Sequence, residues 1–102
     1  MSAEPILVDG LTLWLSTLLG DDVPTIDPIL DGPVAAAFAA LAARPGPAVI
    51  VSDEVGLGIV PMHPNARAYR DLVGITHQRL AAMADEVFLF VAGLPVTLKG
   101  PR

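Results

Sequence analysis

Cysteine is absent from this 102-residue sequence, which excludes disulfides and thiolate-held metals. The absence fits a reducing compartment, and a cytoplasmic location is expected. Positive charge is scarce. Six Lys and Arg face eleven Asp and Glu, a net charge of −5, so nothing points to nucleic acid or an anionic membrane as a partner. Arg67 and Arg70 are a close pair of cations within the chain. No uninterrupted apolar run approaches the roughly eighteen residues of a spanning helix, so no membrane span is expected. Met1-Ser2-Ala3-Glu4 lacks the basic and apolar regions of a secretory signal. Charged residues amount to 17% and apolar ones to 53%, which excludes a disordered chain. The length suits one small domain spanning residues 1–102.

Lysine is the rarest cation. A phosphate-binding P-loop needs Lys followed by Ser or Thr, so that an ammonium and a hydroxyl meet phosphate and Mg²⁺. The single lysine, Lys99, is followed by Gly100. This sequence contains no P-loop.

What is present reads as alternating strands and helices. Ile6-Leu7-Val8 is a short apolar run ending on Asp9, a buried strand by its pattern. Leu11, Trp14, Leu15, Leu18 and Leu19 follow at helical spacing, and Gly20-Asp21-Asp22 stops them. The segment up to Asp31 carries Pro24 and Pro28 and reads as loop. Asp31-Gly32-Pro33 then has the chemistry of a helix start, with Val34, Ala37, Phe38 and Leu41 as its apolar stripe. Pro45-Gly46-Pro47 ends that helix, and Ala48-Val49-Ile50-Val51 reads as a buried parallel strand.

A Gly- and Pro-containing loop, Ser52 to Pro64, leads into a long helix from about Asn65 to Ala84. Its inward positions are expected to be Ala66, Tyr69, Val73, Leu80 and Met83, and mid-helix Gly74 suggests a close approach by another element. Val87 to Val91 is a third strand, turning at Gly93-Leu94-Pro95 into Val96-Thr97-Leu98. The order indicates an α/β fold with an open, mostly parallel sheet.

Ligands of parallel sheets sit beyond the carboxyl ends of strands, and two of these ends carry acids. Asp9 follows the first strand, and Asp53-Glu54 the second. A carboxylate there can hold Mg²⁺ beside nucleotide phosphates, although many strands end in Asp only to begin a turn. Gly56 and Gly58 suit a tight loop approached by a ligand, but the third glycine of a dinucleotide fingerprint is missing. On the long helix, Arg67, Arg70, Asp71, Gly74 and Gln78 form a polar stripe. It is either a solvated face with an Arg67–Asp71 pair or an anion-binding face read by arginine. His63 and His77 are too far apart for a metal motif, and no Ser/His/Asp pattern stands out.

The wording of the sequence goes further than its pattern. Leu7-Val8-Asp9-Gly10-Leu11-Thr12-Leu13-Trp14-Leu15 resembles the "LVDCLTLWLSN" segment of the bifunctional adenosylcobinamide kinase / adenosylcobinamide-phosphate guanylyltransferase family, with Gly10 in place of cysteine. The stretch from Val51 to Pro61 resembles its "VSNEVGLGIVP". Ala66 to Gly74 and His77 to Ala82 resemble "ARRFRDLAGRLNQRLAA", and the close from Ala84 to Gly100 matches as well.

This resemblance implies the C-terminal part of a P-loop NTPase fold of the RecA-like type, without its N-terminal P-loop unit, in an enzyme that forms homo-oligomers. It implies transfer of a phosphoryl group to adenosylcobinamide, then guanylyl transfer from GTP through a histidine-linked intermediate. ATP or GTP would be substrates and Mg²⁺ the metal. Asp9 matches the nucleotide-contacting acid and would hold Mg²⁺, directly or through water. Glu54, Gly56 and Gly58 match the loop at the rim of the site, with Arg67 and Arg70 beside it. Asp53 and His77 each replace an Asn of the family.

Neither His63 nor His77 stands where the guanylylated histidine does, so no catalytic residue is assigned and the isolated chain is expected to be inactive. Its expected partners are nucleotide, adenosylcobinamide, and a P-loop half or full-length homologue. The alternative is a non-catalytic remnant or interaction module that oligomerises with a full-length relative.

Overall fold

The computed structural model describes residues 3–20, 25–58 and 61–100. Asp21, Asp22 and Pro24 of the first loop, Ile59 and Val60 of the second, and Met1 and Ser2 lie outside the described residues. The chain runs β1 (Ile6–Asp9), α1 (Leu11–Leu19), α2 (Asp27–Ile29), a π-turn (Leu30–Val34), α3 (Ala35–Ala43), β2 (Ala48–Val51), α4 (Pro64–Met83), β3 (Val87–Val91) and β4 (Leu94–Lys99). It is a small mixed α/β domain with a parallel β1–β2 pair.

That pair runs from Ile6 opposite Ala48 to Asp9 opposite Val51, so both carboxyl ends emerge on one edge. The mostly parallel single sheet expected from the sequence is not what forms. β3 and β4 make a separate antiparallel ribbon, with Val91 opposite Leu94. The reason is a two-residue turn in which Ala92 (φ 53°) and Gly93 (φ 77°) are both left-handed. That geometry matches strand twist and folds the chain straight back on itself. Pro95 therefore lies within β4 rather than in the turn, as a proline can on an edge strand.

The second helix also begins earlier than expected. Helical backbone starts at Asp27, and Asp31-Gly32-Pro33 lies inside the π-turn instead of opening the helix. Proline has no N–H to donate and its ring collides with the carbonyl four residues back. A widened turn relieves both problems, as π-bulges do. Arg79 of α4 braces it, donating to the Leu30 carbonyl at 3.2 Å and approaching Asp31 at 3.7 Å.

The core lies where α1, the π-turn and α4 converge. Leu11, Leu15, Leu30, Val34, Leu72 and Val73 are its buried apolar side chains, flanked by half-buried Trp14, Phe38, Tyr69 and Leu80. Met83, expected inside, is exposed. Gly74 meets no close approach either. A Cβ built there would find nothing within 4 Å, so packing gives no reason to bear the cost of about 1 kcal/mol for a mid-helix glycine.

The strands are less covered than their apolar runs suggest. Val49 and Val51 of β2, Phe88 and Phe90 of β3, and Leu94 and Leu98 of β4 are all exposed, because helices cover the described ribbons only in part. Total accessible surface is 6977 Å², against about 5,500 Å² for a compact monomer of this mass. The excess is of the order that one specific interface buries. At micromolar concentration, sedimentation velocity is expected to show species heavier than the 10.6 kDa chain. A clean monomer with cooperative unfolding would mean that these faces are satisfied within one chain.

One core group also lacks a partner. The hydroxyl of Thr76 is fully buried in α4 and makes no hydrogen bond among the described residues. An unpaired buried hydroxyl costs about 1–3 kcal/mol, and valine has nearly the same shape. Thr76→Val should therefore stabilise the fold by about 1 kcal/mol, visible as a rise of several degrees in Tm.

Candidate functional site

The parallel pairing places three acids around one sheet edge. Asp9 closes β1, and Asp53 and Glu54 follow β2. Their surroundings separate them. Asp53 Oδ2 accepts a hydrogen bond from the Thr12 hydroxyl of α1 at 3.0 Å, joining the two strand ends. Glu54 turns onto its own loop, its Oε1 accepting from the Gly56 amide at 2.6 Å. Asp9 is exposed, and its carboxylate has no hydrogen-bond partner among the described residues. It does not cap α1 either. The cap is Gly10, left-handed at φ 91°, with no side-chain hydrogen bond to the helix. A glycine suits that φ better than the cysteine of the resembling segment.

Above this edge the loop after β2 is tied to α4. Arg70 donates to the Gly56 carbonyl at 2.8 Å, and Arg67 to the carbonyls of Pro61 and Met62 at 3.3 and 2.9 Å. The Arg67–Asp71 ion pair considered from the sequence does not form among the described residues, because Arg67 reaches for the loop instead. Neither Gly56 nor Gly58 has a left-handed φ, and an added Cβ at Gly58 would meet nothing within 4 Å. Between loop and helix opens a cleft of about 610 Å³, lined by Gly56, Arg67, Arg70, Asp71, Gly74 and Gln78. The polar stripe of the long helix thus forms one wall of a concave site.

Both histidines have hydrogen-bond partners within the chain. His63 caps α4, its Nδ1 accepting from the Asn65 amide at 3.1 Å. His77 Nε2 lies 2.6 Å from the Ser52 hydroxyl. That contact joins residues 25 apart, and only the placement of α4 across the end of β2 could have disclosed it. His77 Nδ1 has no partner among the described residues, so the pair is not a Ser/His/Asp relay. No group of three or more potential metal ligands occurs among the described residues. Nor is any helix there long and apolar enough to cross a membrane.

The sequence matches the family described as cobinamide kinase / cobinamide phosphate guanyltransferase over residues 1–98. The chain belongs to this family. It is 45% identical over 95 residues to the bifunctional adenosylcobalamin biosynthesis protein CobP of Pseudomonas aeruginosa, covering 93% of this chain and 53% of that protein. It is 37% identical over 106 residues to the bifunctional adenosylcobalamin biosynthesis protein CobU of Salmonella typhimurium, covering 94% of this chain and 59% of that one. The chain therefore spans little more than half the length of the curated relatives it matches.

The Thr12–Asp53 bond separates charge from shape at this edge. Asn at position 53 keeps an oxygen that can accept from Thr12, so Asp53→Asn should change stability by less than about 0.5 kcal/mol. Thr12→Val removes the donor and should cost about 1 kcal/mol. Chemical denaturation of the two variants measures both. An Asp53→Asn loss as large as that of Thr12→Val would show that the charge itself is needed.

Proposed function

We propose that this chain supplies the nucleotide-facing edge and the acceptor cleft of an adenosylcobinamide kinase / adenosylcobinamide-phosphate guanylyltransferase. ATP or GTP is the donor. A P-loop-bearing segment completes a RecA-like sheet, in a cytoplasmic homo-oligomer. The observation that carries this reading is the state of Asp9: a carboxylate at the carboxyl end of a parallel strand, neither capping a helix nor bonded to its neighbours. Turn chemistry would accept Asn or Ser there as readily, whereas a site for Mg²⁺ and phosphate needs the charge. Membership in a family described as a kinase and guanyltransferase supports reading that edge as nucleotide-facing.

Mg²⁺ commonly takes one or two carboxylates and completes its shell with water and substrate phosphates, so a lone acid suits it better than a closed cage. Asp9 is the residue of this chain that would hold the ion, directly or through water. Bound there, the metal would neutralise charge on the phosphates. The chain's own residues shape the rest. Thr12 and Asp53 tie the two strand ends together, and Arg70 holds the Gly56 carbonyl in place above them. Glu54 and Gly58 belong to that same loop rim. His63 is engaged by the Asn65 amide and His77 by the Ser52 hydroxyl, and neither is assigned a transfer role.

A second reading, a non-catalytic module that docks on a full-length relative, draws on the exposed apolar side chains of the β3–β4 ribbon. Complementation separates the two, because a docking module would add no nucleotide affinity. With a P-loop-bearing half supplied in trans, calorimetric titration of GTP·Mg²⁺ should show Asp9→Asn weakening binding by about 2–3 kcal/mol, the scale of a lost charged partner. Asp53→Asn should bind like the parent. Unchanged binding by Asp9→Asn would make Asp9 a turn residue and defeat the assignment.

A further inference from the structure

Gly74 is the unexplained residue of α4. It sits mid-helix with no left-handed φ, and nothing within 4 Å would obstruct a side chain there. Neither backbone conformation nor internal packing requires glycine, but the position lines the cleft. A missing side chain that the fold does not need leaves room for something that comes from outside.

The walls define what that is. Arg67 and Arg70 can only donate hydrogen bonds, Asp71 as a carboxylate can only accept them, and Gln78 does both. Each arginine gives part of its guanidinium to loop carbonyls, which leaves further N–H groups on it. Ile26 and Ile75 add apolar surface. A phosphate would gain from the arginines but be opposed by the carboxylate of Asp71. A primary carboxamide serves both at once, its carbonyl accepting from a guanidinium and its NH₂ donating to Asp71. The cleft offers about 610 Å³ and is open to solvent, so it would receive one edge of a large ligand without enclosing it.

We propose that this cleft binds the carboxamide-fringed edge of the corrinoid acceptor, which passes over α4 at Gly74. The proposal rests on the functional reading above and adds to it the location and chemistry of acceptor recognition. It assigns Gly74, Asp71 and Gln78 as residues that determine specificity for the acceptor.

The probe is dicyanocobinamide, a coloured corrinoid that carries carboxamide side chains, titrated into the 102-residue chain and followed by absorbance. Saturable binding is expected, weakened several-fold in Gly74→Ala and at least tenfold in Gly74→Leu. Far-UV circular dichroism should show helix content equal to or above the parent in both variants. Excess inorganic phosphate should not displace the corrinoid. Parent-like affinity in Gly74→Leu, no corrinoid binding by the parent, or displacement by phosphate would each overturn the proposal.

A kinetic arm keeps the two readings apart. In the complex completed by a P-loop half, Gly74→Leu should raise KM for the corrinoid at least tenfold and leave KM for the nucleotide unmoved. If that complex transfers phosphoryl groups but the corrinoid KM does not change, the cleft assignment fails and the function stands. If the chain binds corrinoid at the cleft but no complex transfers, the function fails and the cleft stands.

Discussion

Leu15 of α1 and Leu72 and Val73 of α4 belong to one buried cluster and are closed to solvent. The seating of α4 depends on that contact, and much of the candidate site depends on where α4 lies. From it Arg70 reaches the Gly56 carbonyl, His77 reaches Ser52 at the end of β2, and Gly74 opens onto the cleft. α1 takes part in the same way, since it places Thr12 against Asp53. Two helices packed on each other thus fix two loops that have little regular structure of their own. The interaction is hydrophobic and undirected, and the hydrogen bonds at the edge supply the direction.

Periodicity disclosed the elements with a single strong pattern. α1, β2 and α4 lie within a residue of where their apolar spacing puts them, and the acids at both strand ends follow from that. The misreadings arose where one local rule competed with another. Pro33 carries the chemistry of a helix start, but it also fits inside a helix that widens by a residue, and only Arg79 from a distant helix marks the second outcome. The hairpin was hidden because Ala92 adopts a left-handed φ that favours glycine or asparagine, so the turn lacked its usual signature. Contacts across long separations, Ser52 with His77 and Thr12 with Asp53, leave no local trace at all.

The apolar composition of the strands was legible, but their burial was not. A continuous apolar strand predicts cover on both faces, and the structure gives β2 and the β3–β4 ribbon much less. Such strands carry a pattern suited to a larger sheet than the described residues form. The chain covers 53–59% of the length of its curated relatives, so in those proteins the matched region has further chain to pack against. Sequence patterns record the environment in which residues are kept, and that environment need not be contained in one segment.

Asp9 and Gly74 are linked by the same form of argument. Each is a residue whose cost the fold does not recover. An exposed strand-end carboxylate that caps nothing adds to a chain already carrying net negative charge, and a mid-helix glycine without a close neighbour forgoes helix stability. Asp53 shows the contrast, since its carboxylate is accounted for by Thr12 alone. Local choices in a foldable sequence normally agree with the global fold, and departures collect where something else is being served. Here the two departures differ in chemistry. One offers charge at the end of a parallel strand, and the other offers space on the wall of a cleft, and neither is used by the contacts of the fold itself.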